Sequence, residues 1–226
     1  MVKWLFVAVV MLGIVAASCT GSLEQASTAP PVPLPDGQSG TVAIVDVDVF
    51  DGTAMIRQTT VVIEDGLILA VGAATEVPAD AEILEGAGRT LMPGLIDAHT
   101  HTFADAGLQR TVQFGVTTHL DMFTDPDFLE SELAAEIQQA QRPQADLFSS
   151  SVLGTVPDGH GTQLGFDIPT MSGPDDTAAW VQDRVDDGAS FIKLVLEDGA
   201  RFGQDFPTLD QATFRAAVRE LSLIHI

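Results

Sequence analysis

The sequence predicts an α/β fold in two parts, a small β unit followed by a run of strand–helix pairs. Three observations carry this prediction. Residues 42–49, 59–64 and 67–71 are short β-branched and apolar runs, separated by the turn pairs Asp51-Gly52 and Asp65-Gly66. Beyond Pro93 the pattern changes to strands alternating with helix-length segments, which implies a parallel sheet. Apolar residues make up 46% of the chain, enough to bury a real core and to exclude global disorder. Periodicity alone leaves two arrangements open, a doubly wound sheet and a (β/α)₈ barrel.

In chain order, residues 1–18 read as a secretory signal peptide: Lys3, then an apolar run over 4–17, then Ser18. The run is shorter than the roughly 20 residues a membrane-spanning helix needs. The stretch Ala16-Ala17-Ser18-Cys19 resembles a bacterial lipobox, although leucine is more usual where Ala16 stands. Cys19 is the single cysteine, so no intramolecular disulfide forms, and it stands where a lipidated first residue belongs. The plainer alternative is an ordinary signal peptide with an incidental cysteine. Residues 19–40, which include Pro30-Pro31-Val32-Pro33-Leu34-Pro35, form a Pro/Ser/Gly-rich tether. Residues 41–92 form the β unit, expected as short antiparallel strands.

The strand–helix run occupies residues 93–220. Strands are expected over 95–101, 117–123, 145–153 and 191–197. Helices are expected over 105–114, closed by Gly115, over 126–141, halted before Pro143, over 174–187, and from Asp210 as cap to Glu220. A glycine-rich loop, 154–173, joins the third strand to the third helix.

Charge narrows the partners. With 32 acidic residues against 10 basic ones the net charge is −22, a surface that repels nucleic acid and anionic membranes. A small-molecule substrate remains the expected partner, with membrane attachment only through a lipid on Cys19. Such a protein is exported to the bacterial cell envelope. Oligomeric state is not encoded in these features.

The residues that carry chemistry begin with His99 and His101. Strand side chains alternate, so residues two apart share a face and both imidazoles reach one ion. Neutral imidazole suits zinc, nickel or iron. Lys193, in Phe191-Ile192-Lys193-Leu194-Val195-Leu196, is a cation within an apolar strand, which is costly unless it is paired, neutral or modified. The plain alternative is a lysine that snorkels to solvent from the strand end. Asp97 shares the face of the histidines and is expected to support them. His160, in Gly159-His160-Gly161-Thr162-Gln163, lies in a loop after the third strand and either touches substrate or is a plain loop histidine. His119 and Asp121 read as a satisfied polar pair, and Asp125 and Asp127 as openers of a helix.

The β unit followed by Pro93-Gly94-Leu95-Ile96-Asp97-Ala98-His99-Thr100-His101 resembles the opening of the metal-dependent amidohydrolase superfamily, over about residues 41–220. Imidazolonepropionase-like and prolidase-like amidohydrolases are the members in view. The resemblance implies the N-terminal half of a (β/α)₈ TIM barrel, preceded by part of a small β-sandwich. It implies His99, His101 and Lys193 as metal ligands, with Lys193 carbamylated and bridging two divalent cations, Zn²⁺ by expectation. It implies hydrolysis of carbon–nitrogen bonds in cyclic amides, amino-acid derivatives or dipeptides by a metal-bound hydroxide. Two further histidines and a general-base aspartate come, in that family, from later strands than those seen here. The alternatives are a mononuclear deaminase or imidazolonepropionase type, which does without the lysine, and a non-catalytic envelope lipoprotein on the same scaffold.

Residues 221–226, Leu221-Ser222-Leu223-Ile224-His225-Ile226, are what CTG TCT CTT ATA CAC ATC encodes. That string matches the end of a transposase-based sequencing adapter, so these residues, His225 included, are expected to be an artefact. The 226-residue chain is accordingly expected to be a truncated and inactive form. The N-terminal reading is directly testable. Labelled fatty acid should enter the protein expressed in a bacterium and not its Cys19→Ala variant; equal labelling of both would refute lipidation.

Overall fold

The computed structural model describes residues 40–138, 143–165 and 167–224. The expected signal peptide, Cys19, the tether up to residue 39 and His225 lie outside the described residues. The first sheet contains β1 (Thr41–Phe50), β2 (Met55–Glu64), β3 (Leu67–Gly72), β4 (Glu82–Glu85) and β5 (Thr90–Leu91). Its order is β3-β2-β1-β4, with β5 also on β1. Asp51 tightens the first turn by accepting the N–H groups of Thr53 and Ala54, each at 2.8 Å. Gly66, at φ +82°, provides the left-handed position of the second turn.

This sheet is not wholly antiparallel, as the sequence reading had it. β1–β2 and β2–β3 are antiparallel, but β4 and β5 both pair with β1 in parallel. Two antiparallel steps leave β3 running in the direction of β1. Residues 73–81 then cross to the free edge of β1 and start β4 in that same direction. Val47, Val49 and Val61 form the buried centre, packed by Ile44, Ile63 and Leu91.

The second sheet is parallel, with order β6-β7-β8: β6 (Leu95–Thr100), β7 (Val116–Asp121) and β8 (Asp146–Ser149). Helices α1 (Asp105–Val112), α2 (Pro126–Gln138), α3 (Thr177–Asp186) and α4 (Gln211–Ile224) follow the alternation. Gly115, at φ +81°, turns the chain out of α1 toward β7. Asp125 caps α2 by accepting the N–H groups of Asp127 (2.8 Å) and Phe128 (3.3 Å). Asp210 caps α4 through the N–H of Thr213 at 2.7 Å. The result is a mixed α/β fold.

Two elements depart from expectation. Residues 191–197 do not form a full strand; they make one parallel bridge, Gly154 to Leu194. The ladder starts where Ser190 N–H donates to Ser149 O (2.8 Å) and resumes where Gly154 N–H donates to Lys193 O (2.7 Å). Between those points Ser151 sits at φ +56°, so residues 150–153 bulge away from 191–193 and the bonds are interrupted. The same bulge ends the third strand at Ser149, short of residue 153. α4, expected to begin over 210–220, runs to Ile224. Leu221 packs against the main core there, and nothing in Leu221-Ser222-Leu223-Ile224 stops a helix.

That core gathers Phe123, Val152, Leu153, Met171, Trp180, Val181 and Ala217 beneath the ends of the parallel strands. The Trp180 indole N–H donates to Pro169 O at 3.0 Å, so the ring is buried without an orphaned polar atom. β6 is seated against β7 with very little clearance. A Cβ at Gly94 would lie 2.8 Å from the Cβ of Thr117, and closer still to its Oγ1 and Cγ2. A rotamer change moves the outer two atoms but not the Cβ. Gly94→Ala should therefore push the strands apart and cost about 1–3 kcal/mol. A urea midpoint equal to wild type would show that the strands yield freely.

Candidate metal centre

β6 delivers His99 at its end and His101 just beyond it. The two rings meet edge to face with centroids 5.5 Å apart. The N–H of His99 donates to Asp97 Oδ1 at 3.2 Å, so the Asp97 carboxylate steadies the backbone of the pair. His101 Nδ1 lies 3.3 Å from the carbonyl of Phe123. A carbonyl only accepts, so that contact makes Nδ1 the donor and leaves the Nε2 lone pair of His101 for a ligand.

Lys193 arrives from the extended segment beside β8 and is half-buried. Burial pushes its amine below the usual lysine range, while the nearby Asp121 carboxylate opposes that shift. His99, His101, His160 and Lys193 line one pocket of about 270 Å³ together with Phe103, Phe123 and Leu153. The sheet thus brings the three expected ligands and His160 to one place. The ring of His160 stacks edge to face on Phe206 at 6.3 Å, and its Nδ1 is buried without a hydrogen-bond partner among the described residues.

Beneath the pocket lies Asp121, the last residue of β7 and fully buried. Its Oδ1 accepts the N–H of Thr102 at 2.6 Å, and its Oδ2 accepts the hydroxyl of Ser149 at 2.7 Å. Thr124 Oγ1 donates to the Thr102 carbonyl, tying the same segment from the other side. Burial pushes the Asp121 carboxyl above the usual carboxylate range, and the bonds from Ser149 and Thr102 pull it back in part. His119 is also buried, with Nδ1 3.2 Å from Thr102 Oγ1 and Nε2 2.9 Å from Thr111 Oγ1. Both its ring nitrogens are engaged away from the pocket. Asp125 and Asp127 open α2 and do not line the site. Phe103 and the central position of Asp121 escaped the sequence reading, whereas Phe123 was placed on the strand face of His119 and Asp121. The available signal was Asp121 two residues after His119, a carboxylate on an inward strand face.

These donors suit a divalent cation: two imidazoles on one strand end, one with a ring nitrogen set free by a backbone carbonyl, and an amine whose charge is disfavoured. Among the described residues no group of three or more His, Cys, Asp or Glu is placed to hold a metal ion. The histidine pair and Lys193 lie together in the pocket without a third such residue, among those described, placed to hold one ion with them.

No family model matches the chain. It is 50% identical over 52 residues to an imidazolonepropionase of Idiomarina loihiensis, a stretch covering 22% of this chain and 13% of that protein. It is 39% identical over 75 residues to an enamidase of Eubacterium barkeri, covering 28% of this chain and 19% of that protein. Among solved structures it resembles a Xaa-Pro dipeptidase in fold, with a TM-score of 0.63 and 19% identity over 80% of this chain and 54% of that one. The chain thus spans about half the length of that solved structure, and the matched stretches are short parts of the two curated relatives.

The buried carboxyl has a stability signature. Its folded pKa lies above the ordinary 3.8, so its contribution to stability is full below that pH and is lost as pH rises through the folded value. Wild-type stability relative to Asp121→Asn should therefore fall as pH rises from about 4 toward 7. Urea midpoints of the two proteins at several pH values read this directly; a difference that stays constant would refute it.

Proposed function

We infer that this chain belongs to the amidohydrolase superfamily and carries part of the metal centre of a hydrolase acting on carbon–nitrogen bonds. The observation that carries this reading is the convergence of His99, His101 and Lys193 in one pocket at the ends of parallel strands. On the same reading the parallel sheet and its helices are the first part of a (β/α)₈ barrel, and the first sheet is part of a β-sandwich. The substrate is a small amide, an amino-acid derivative or a dipeptide. A lipidated Cys19 would place the protein in the cell envelope.

Each side chain has a defined task. His99 and His101 offer ring-nitrogen lone pairs from adjacent positions on one face of the strand end. The Phe123 carbonyl holds His101 in the tautomer that makes this possible. Burial disfavours the charge on Lys193 and so favours the neutral amine, whose lone pair can add to carbon dioxide. Loss of one proton then leaves a carbamate, an anionic oxygen donor where a cation stood. Bound divalent cations would supply a lowered water pKa and polarisation of the scissile carbonyl. Phe103, Phe123 and Leu153 keep that wall of the pocket apolar, which strengthens the electrostatics inside it.

A second reading has specific support. The curated relatives include imidazolonepropionases and a 5'-deoxyadenosine deaminase, in line with the mononuclear alternative that makes no use of a bridging lysine. Metal analysis of the protein that carries this chain separates the two. Lys193→Ala is expected to lose bound metal and to lower hydrolysis by about 100-fold or more, with partial rescue by an added short-chain carboxylate. A Lys193→Ala protein with unchanged metal content and full turnover would favour the mononuclear reading. His99→Ala should lose metal under both.

A further inference from the structure

We propose that Asp121 is a positioning residue of the metal centre, locking the strand end that carries His101 and supplying the buried negative charge that its cations face. The proposal rests on the metal-centre reading above. The Asp121 carboxylate is bonded by neutral donors, the Thr102 N–H and the Ser149 hydroxyl, with the Phe123 N–H contributing from the same turn of chain. An asparagine in the same place could satisfy the first two, its carbonyl accepting from Thr102 and its amide donating to the serine oxygen. A fully buried carboxylate is far more expensive to desolvate than that amide, so its charge is surplus to the fold. The charge lies instead beside the pocket that His101 and Lys193 line, bonded to Thr102, the residue that follows His101.

The position is as specific as the charge. Thr102 directly follows His101, so the 2.6 Å bond from its N–H fixes the backbone on one side of the imidazole. On the other side, Asp121 faces Thr100 in the β6–β7 register, and Met122 N–H donates to Thr100 O at 2.9 Å. Its second oxygen reaches β8 through Ser149, and Ser150 N–H donates to its backbone carbonyl at 3.0 Å. One side chain therefore joins three strand ends beneath the pocket, and an error in its place is an error in His101. Outer partners of metal ligands commonly matter to affinity by about 10–100-fold.

Zinc affinity of the protein that carries this chain, measured by competition with a chromophoric chelator and paired with thermal unfolding at neutral pH, tests the proposal without reference to turnover. Asp121→Asn keeps the Thr102 and Ser149 bonds and removes the charge; it should weaken zinc binding roughly tenfold or more while unfolding at or above the wild-type temperature. Ser149→Ala keeps the charge and removes one of the two bonds that place it; it should unfold earlier and lose zinc affinity by clearly less than Asp121→Asn. An Asp121→Asn protein with unchanged zinc affinity overturns the proposal, as does a Ser149→Ala loss equal to that of Asp121→Asn. A wild-type protein that takes up no zinc overturns the metal-centre reading itself, and this proposal with it.

Discussion

The Asp121 carboxylate is the point on which the parallel half of the molecule is assembled. β6, β7 and β8 end at one level because a single buried side chain bonds to the chain leaving β6 and to the last residue of β8. Backbone ladders fix the spacing of parallel strands but permit them to slide, since their bonds are evenly spaced. A side chain with two oxygens aimed at two neighbours removes that freedom. His101, one residue before Thr102, and the Phe123 carbonyl, two residues after Asp121, are placed from this junction.

The side chains that pack on the junction bond to one another. His119 is held by two threonine hydroxyls, and Thr124 binds the Thr102 carbonyl. In such a network the low local dielectric that strengthens each bond also penalises each missing one. The pocket above it is arranged differently. There a half-buried amine and a His160 nitrogen with no hydrogen-bond partner among the described residues face the imidazoles of His99 and His101.

The aromatic residues connect this site to the core. Phe123 meets His101 at 6.3 Å and Phe103 at 5.8 Å, and it is also part of the main buried cluster with Leu153 and Trp180. Packing that stabilises the domain is therefore continuous with the wall of the pocket. The glycine at position 94 serves the same close packing, since β6 can lie this near to Thr117 only where no Cβ intervenes.

Local pattern was enough for much of this. Alternation and turn residues were sufficient for β1, β2 and β3. The βα rhythm, Gly115 and the caps Asp125 and Asp210 marked the elements of the second part, because each of these signals acts within a few residues of chain. His99 and His101 were legible for the same reason: a strand puts residues two apart on one face whatever surrounds it. The parallel pairing of β4 and β5 was not legible, since it depends on which edge of β1 the chain reaches after a crossover. Nor was the interruption of the fourth strand, which follows from a left-handed residue, Ser151, in its neighbour. Asp121 looked like one half of a polar pair with His119. Its role at the junction of three strands emerged only once residues 102, 121 and 149 were brought together, contacts that span 19 and 28 positions of sequence. Periodicity carries information about which way a side chain points; what it meets there is decided by packing between distant segments.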